Sequence, residues 1–110
     1  MAVLARTSPF NDAPNFYKHY DDATGDIDCL ADGPGGDGIS SNDSGYPCWA
    51  FKVGTLGDVV VRPVGGASNG DDDVTIPEEN LTANVLEVIQ AEKILETGTT
   101  ATDIMVYWRI

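Results

Sequence analysis

The sequence has few positive charges, one histidine and two cysteines. Its 110 residues include six Lys and Arg, one His and two Cys, against 18 Asp and Glu, so the net charge is −12. Nucleic-acid binding depends on Lys and Arg that neutralise phosphates, and anionic membrane surfaces attract basic segments. The composition therefore argues against nucleic-acid and membrane partners, and it favours solubility or a basic partner.

Long apolar runs are absent as well. A transmembrane helix needs a run of about 18 apolar residues, and the sequence has none. Residues 1–7 are too short for a signal peptide and lack its charge order, so we expect synthesis in a cytoplasm. Because such compartments keep thiols reduced, Cys29 and Cys48 are expected to be reduced and buried, with a disulfide as the alternative.

The residue types of catalytic sites do not occur in a recognisable arrangement. The one histidine, His19, lies among aromatic residues, where packing or an interface is its usual role. There is no Gly-x-Ser-x-Gly motif and no phosphate-binding glycine loop. Residues 71–73 are three Asp with oxygen ligands, but the spacing of an EF-hand does not follow. We predict a protein that is not an enzyme and has no cofactor and no metal site.

The length predicts a single domain, preceded by an arm. Residues 1–26 contain Pro9, Pro14 and Gly25 and show no apolar periodicity, so they are predicted to be an extended N-terminal arm. Residues 27–110 are predicted to be the folded domain. Aromatic residues in an arm must pack on their own domain or on a partner. The candidates for contact with a partner are Phe10, Phe16, Tyr17, His19 and Tyr20.

Short β-branched segments bounded by Gly and Pro predict strands. These segments are residues 27–30, 48–53, 59–62 and 74–76. The second and third are predicted to pair as a hairpin across residues 54–58. Pro63 and Pro77 end their strands, because proline has no N–H to donate to a ladder. The Gly, Ser, Asp and Pro content of residues 31–47 predicts a long loop.

Residues 78–98 are ambiguous from their composition. The spacing of their apolar residues and the position of Gly98 as a C-cap favour a helix. The β-branched Val85, Val88 and Ile89 instead favour buried strands.

The C-terminal segment 104–108 alternates as a strand, with Ile104, Val106 and Trp108 on one face. Both of its faces carry large groups, so the strand is either central or in contact with a partner. The candidates for a subunit interface are Tyr107, Trp108 and Arg109.

Two glycine-containing corners resemble those of a known family. Residues 49–61 contain a strand, a Gly-x-x-Gly-Asp turn and a second strand, and residues 98–102 are Gly-Thr-Thr-Ala-Thr ahead of the last strand. Together they resemble the small β-domain of the spike-base family of phage and gene-transfer-agent particles, over residues 27–108. The resemblance implies strands within residues 81–96. It also implies an all-β fold, a small antiparallel β-sandwich or barrel with an extended N-terminal arm.

The function implied by this resemblance is that of a bacteriophage virion structural protein. We favour a head decoration (cement) subunit that binds the major capsid protein on the outer surface of the head; a spike base at the capsid vertices that anchors a fibre is the alternative. Small domains gain stability in closed oligomers, so a homotrimer is expected for cement and a pentamer for a vertex base. The five arm residues would contact the capsid, and the three C-terminal candidates would contact a neighbouring subunit.

A soluble carbohydrate-binding module is the alternative from a different class. Aromatic rings can stack on sugars, and acidic side chains can accept hydrogen bonds from hydroxyl groups. The residues that would stack on a sugar are Tyr46, Trp49, Tyr107 and Trp108.

Overall fold

The computed structural model describes residues 16–36 and 45–109. The elements in this part of the chain are β1 (Phe16–Tyr20), β2 (Ile27–Asp28), α1 (Cys29–Asp32), β3 (Ala50–Thr55), β4 (Val59–Pro63), β5 (Val74–Ile76), a 3₁₀ turn (Glu78–Asn80), β6 (Ala91–Ile94) and β7 (Thr102–Trp108). The predicted all-β fold is therefore confirmed.

Two antiparallel sheets enclose one core. Sheet A has the strand order β1-β7-β3, and sheet B has the order β2-β6-β4-β5. Both sheets contribute buried side chains to one apolar cluster. From sheet A these include Phe51, Val53, Ile104, Val106 and Trp108, and from sheet B they include Ile27, Val59, Val61 and Ile94. The fold is thus the antiparallel β-sandwich that was expected.

Strand β7 is the centre of sheet A. It pairs with β1 on one side and with β3 on the other. Ile104, Val106 and Trp108 are fully buried, whereas Met105 and Tyr107 between them are half-buried. The period of two along a strand produces this alternation, so the predicted face of the last strand is confirmed.

The predicted hairpin between residues 48–53 and 59–62 is wrong. β3 belongs to sheet A, whereas β4 lies between β6 and β5 in sheet B. The corner between them crosses the sandwich, and its Gly57 packs directly on the backbone of another corner. A Cβ on Gly57 would lie 2.4 Å from the backbone nitrogen of Ala101. The Gly-x-x-Gly-Asp turn therefore carries the chain from one sheet to the other.

Residues 78–98 contain a strand and no α-helix. Ala91–Ile94 form β6, so a strand does lie in this region. The buried strand predicted at Val85, Val88 and Ile89 is wrong, because all three lie outside β6 and Val85 and Val88 are exposed. Ahead of β6 the chain is irregular after the 3₁₀ turn, and Glu87 exchanges backbone hydrogen bonds of 3.0 and 2.7 Å with Phe51. Pairing with the edge of β3 uses backbone groups that a helix would have bonded internally.

The helix α1 replaces the second half of the strand predicted for residues 27–30. Asp28 acts as its N-cap, and the carboxylate of Asp28 accepts a hydrogen bond of 3.2 Å from the backbone N–H of Ala31. The helix ends at Gly33, where a Cβ would lie 2.1 Å from Nε1 of Trp108. No helix within residues 16–36 and 45–109 combines the length and the apolar character that crossing a membrane requires.

The predicted arm over residues 1–26 is wrong for residues 16–26. Phe16–Tyr20 form β1, an edge strand of sheet A, because its rings pack on those of β7. The rings of Phe16 and Trp108 meet edge to face at 5.7 Å. The folded domain therefore includes Phe16, and the predicted boundary at residue 27 is too late. Residues 1–15, with Phe10 among them, lie outside the described residues.

Candidate functional site

The outer face of sheet A gathers several of the residues proposed for contacts with partners. Tyr17 pairs with Tyr107, and His19 pairs with Met105, which also pairs with Lys52 of β3. Directly opposed residues of neighbouring strands share a face. Since the intervening residues of β7 point into the core, these five side chains form the opposite, outward surface. We call Tyr17, His19, Lys52, Met105 and Tyr107 the outer face of sheet A.

An aromatic pair lies on this face. The ring centroids of Tyr17 and Tyr107 are 6.1 Å apart, with an angle of 38° between the planes. This separation is within the range of about 4.5–7 Å that favours ring contacts. Tyr17 is 68% exposed, so the pair is open to solvent. Tyrosine and methionine are enriched in the buried centres of protein interfaces, which makes this face a candidate interaction surface.

One lysine lies on the outer face of sheet A, and an arginine follows the central strand. Lys52 lies on the outer face of sheet A. Arg109 follows β7, and its guanidinium carbon is 5.4 Å from the ring centroid of Trp49. The face therefore carries a cation and aromatic rings while the whole chain has a net charge of −12, which favours a partner with acidic or aromatic groups at the contact.

The predicted partner-contacting residues separate onto two sides of sheet A. Tyr17, His19 and Tyr107 share the outer face. Phe16 packs against Trp108 toward the core. Trp108 is fully buried, and its indole N–H donates to the carbonyl oxygens of Cys29 and Tyr46, both at 3.2 Å. The expectations that Trp108 forms a subunit interface or stacks on a sugar are therefore wrong, because its side chain is part of the core.

Tyr20 attaches β1 to α1. Its hydroxyl donates a hydrogen bond of 2.8 Å to the carboxylate of Asp32. Burial, followed by this hydrogen bond, raises the pKa of Tyr20 far above its usual value. The hydroxyl of Tyr20 is thus engaged within the chain, and the side chain packs against the core cluster.

One group of potential metal ligands occurs at the end of the outer face. Among the described residues, His19, Asp21 and Asp103 offer ligand atoms that all lie within 4.8 Å of one another, and all three side chains are exposed. Nε2 of His19 is 3.3 Å from Oδ1 of Asp103. An imidazole and two carboxylates could hold a divalent cation, although exposed groups of this kind commonly have no ion.

The three consecutive aspartates of residues 71–73 close their own turn. Asp73 accepts a hydrogen bond of 2.9 Å from Nε of Arg62, and Asp72 accepts one of 2.9 Å from the backbone N–H of Ala67. The Asp73 carboxylate raises the pKa of Arg62. These carboxylates therefore accept hydrogen bonds from donors of the protein itself.

A pocket of about 190 Å³ lies beside the outer face of sheet A. Its lining residues are Tyr46, Pro47, Cys48, Trp49, Gln90 and Arg109. This volume is below the roughly 300–1,000 Å³ of most small-molecule sites. The backbone hydrogen bond of 2.9 Å from Cys48 to Ala91 brings Gln90 to the pocket. The sequence identified Tyr46 and Trp49 as candidates for stacking on a sugar, but not their contact with Gln90 and Arg109 at this pocket, because no local pattern reports a contact between segments so far apart.

Comparison of the chain with protein families, with curated proteins and with solved structures gives no match. The resemblance to the spike-base family therefore stays a prediction. The two corners on which it was based do meet in the fold: the backbone N–H of Thr100 donates to the carbonyl oxygen of Asp58 at 2.9 Å, and the hydroxyl of Thr100 accepts from the N–H of Asp58 at 2.9 Å.

Proposed function

We propose that this protein is a non-enzymatic structural protein of a bacteriophage virion, a cement subunit on the outer surface of the head. In this proposal the outer face of sheet A contacts the major capsid protein. The observation that carries it is the contact of the exposed Tyr17 with the half-buried Tyr107 on the sheet face that also holds Lys52. A sheet holds such side chains in fixed positions, so little conformational entropy is lost when they are buried against a partner.

The charge distribution supports docking in one orientation. The outer face of sheet A holds Lys52 and aromatic rings, while the chain as a whole has a net charge of −12. Like charges repel, so the acidic surfaces of two copies of this protein disfavour contacts between copies that are not held in register by the shell. A contact made only on the assembled shell stabilises that shell by linkage. For cement we expect a homotrimer on a local symmetry axis.

Substitution of the aromatic pair tests this contact. We expect Tyr17→Ser/Tyr107→Ser to bind undecorated heads at least about tenfold more weakly than the unaltered protein, because each aromatic anchor of an interface is worth about 2 kcal/mol or more. Sedimentation of heads with bound protein measures the occupancy. Tyr17→Ser alone is included because Tyr17 is the more exposed of the two, and thermal melting shows whether each variant is folded.

Val74→Ser/Val88→Ser is the matched control, since it removes two exposed apolar side chains outside the outer face of sheet A. We expect this control to bind heads as the unaltered protein does. Equal binding by folded Tyr17→Ser/Tyr107→Ser would rule out the proposed docking face.

Cryo-electron microscopy of the particles tests the placement on the head. Density repeated over the whole head supports cement, whereas density at the vertices alone supports the spike base that anchors a fibre. Light scattering of the isolated chain gives the matching oligomer, a trimer for cement or a pentamer for a vertex base. Mass spectrometry of purified virions shows whether they contain this chain. If they do not, the proposal is ruled out.

A carbohydrate-binding module is the second candidate, and the pocket beside Trp49 favours it. Trp49 is half-buried with Arg109 over its ring, and Tyr46 is 55% exposed at the same pocket. A flat ring beside hydrogen-bonding groups is suited to a sugar. A glycan array tests it with Trp49→Ala as the comparison: binding lost in the variant supports this candidate, and an array without any binding removes it.

A further inference from the structure

Asn69 differs from the other asparagines of the chain because a glycine follows it. Asparagine occurs six times, and in the other five places the next residue carries a side chain. Asn69 is exposed, and it lies with Gly70 in the turn between β4 and β5. Since glycine has no Cβ, the backbone nitrogen of Gly70 is less shielded than the nitrogen that follows each of the other asparagines. The amide carbon of Asn69 is therefore the one that a neighbouring backbone nitrogen reaches most easily.

Two hydrogen bonds hold the Asn69 side chain against the backbone of this turn. Its Oδ1 accepts one of 3.0 Å from the backbone N–H of Asp71, and its Nδ2 donates one of 3.2 Å to the carboxylate of Asp71. The first bond closes a small ring over Gly70 and keeps the side chain beside the Gly70 nitrogen. It also directs an N–H at the oxygen on which negative charge develops when a nucleophile adds to the side-chain carbonyl.

We propose that Asn69 is a deamidation site, which water converts slowly to aspartate and isoaspartate without an enzyme. Hydroxide takes the proton of the Gly70 N–H, and the nitrogen attacks Cγ of Asn69. The N–Cγ bond forms, the Cγ–Nδ2 bond breaks, and Nδ2 leaves as ammonia with a proton from water, which regenerates hydroxide. One water molecule then opens the cyclic imide at either of its two carbonyls. Opening at one carbonyl gives aspartate and opening at the other gives isoaspartate, and no electrons are transferred.

Asn80 and Asn84 are internal comparisons for this reaction. Both are exposed, and each is followed by a branched apolar residue. The backbone N–H after each of the three asparagines donates to a carbonyl oxygen of its own turn, at 3.1 Å after Asn69, 3.0 Å after Asn80 and 3.2 Å after Asn84. This bond must open before the nitrogen attacks in all three places. The missing side chain of Gly70 and the contacts of Asn69 with Asp71 are what separate Asn69 from the other two.

Deamidation changes the turn that precedes β5. It adds one negative charge beside the three aspartates of residues 71–73, and it replaces the Nδ2 donor of Asn69 with an oxygen that the Asp71 carboxylate repels. We therefore expect the isoelectric point of the chain to fall as the protein ages. This inference does not depend on the proposed function, since the turn joins two strands of sheet B and none of its residues lies on the outer face of sheet A.

Peptide mapping of the unaltered full chain tests the site. Trypsin cleaves after Lys52 and Lys93 but not before Pro63, so one peptide, residues 53–93, contains all three of the asparagines that are compared. The protein is incubated at about 37 °C, and fragmentation of this peptide locates the mass increase of about 1 Da that deamidation causes. A sample digested without incubation gives the background.

We expect conversion at Asn69 to exceed conversion at Asn80 and at Asn84 by at least about tenfold, because thermolabile asparagines react according to their surroundings. Because the Gly70 nitrogen attacks after losing its proton, we also expect faster conversion at about pH 9 than at about pH 7. Equal conversion at the three asparagines, or none at Asn69 when the others react, would overturn the proposal.

The products and one variant test the cyclic step. Both aspartate and isoaspartate are expected at position 69, and aspartate alone would show direct hydrolysis and overturn the mechanism. Asn69→Gln keeps an amide and the charge of the chain, but its ring would need one more carbon. We expect this variant to show no conversion at position 69 and a constant isoelectric point over the same incubation. The mapping of the unaltered chain does not require the variant to fold.

Discussion

Trp108 connects three parts of the sandwich through one side chain. Its indole N–H is shared by the carbonyl oxygens of Cys29 and Tyr46. Its ring meets Phe16 at one edge and closes the space above Gly33. Burial of an indole N–H without an acceptor is costly, so these carbonyls stabilise the buried position of Trp108 together with the apolar contacts. The strand that carries Trp108 is thereby tied to α1 and to the segment before β3.

Tyr20 is expected to make stability fall in alkaline solution. Its pKa is raised in the folded chain, first by burial and then by Asp32, whereas an unfolded tyrosine ionises near pH 10, at about its ordinary pKa. Below that pH, Tyr20 is protonated in both the folded and the unfolded chain, so its full contribution to the free energy of unfolding is present. Above it the unfolded state loses its proton first, so the free energy of unfolding falls by up to about 1.4 kcal/mol per pH unit.

Urea unfolding at a series of alkaline pH values measures this effect. Tyr20→Phe is expected to lose about 1 kcal/mol at neutral pH, because the hydrogen bond to Asp32 is lost, and to show a flatter decline above about pH 10. Tyr17→Phe on the same strand is the control and is expected to keep the original decline. A Tyr20→Phe profile parallel to that of the unaltered protein would contradict the explanation.

Beyond the end of β6, the pairing with β4 continues through one backbone hydrogen bond and one hydrogen bond to a threonine side chain of the corner at residues 98–102. The backbone N–H of Leu95 donates to the carbonyl oxygen of Val60 at 2.8 Å, and the hydroxyl of Thr99 accepts from the N–H of Val60 at 2.9 Å. Gly98 has a φ of 93°, a conformation that favours glycine. The hydroxyl of Thr99 thus accepts the hydrogen bond from β4 that the backbone carbonyl of a further strand residue would have accepted.

Thr99→Val is expected to destabilise the protein by about 1–3 kcal/mol, because the N–H of Val60 would lose its acceptor. Thr97→Val is the matched control at an exposed position of the same corner, and we expect a change within about 0.5 kcal/mol. Urea unfolding monitored by tryptophan fluorescence compares the two variants. Equal effects of the two substitutions would show that the Thr99 hydroxyl does not support β4.

At the scale of the whole molecule, β1 is part of the sandwich although the sequence before residue 27 resembles an arm. Its five residues pair with β7 from Phe16 to Tyr20. They cover one edge of the central strand, so both sides of β7 are bonded within the chain.

A variant without residues 1–20 is expected to be less stable by about 3 kcal/mol or more, because it loses a strand and the aromatic cover of Trp108. Lys18→Ala keeps the strand and is expected to change stability by less than about 0.5 kcal/mol. Chemical unfolding of both variants provides the measurement. An unchanged midpoint after the deletion would mean that β1 contributes nothing to the fold.

The sequence was sufficient for features that depend on local pattern. Alternation identified the face of β7 that carries Ile104, Val106 and Trp108, and Pro77 marked the end of β5. A strand within residues 78–98 was also expected, and β6 is there, although Val85 and Val88, which favoured a buried strand, lie outside it and are exposed. These features follow from side-chain direction and backbone chemistry, which act over a few residues.

Pairing between distant segments was decided by the tertiary structure alone. Tyr17, His19 and Tyr107 were candidates from residue type, but only the register of β1 on β7 places them on one face. Alternation grouped Trp108 with Ile104, yet the packing of sheet B determined that this group is the core rather than an interface. The β3–β4 corner likewise crosses the sandwich and brings Gly57 against Ala101. Such contacts depend on which surfaces meet after folding, and no local pattern contains that information.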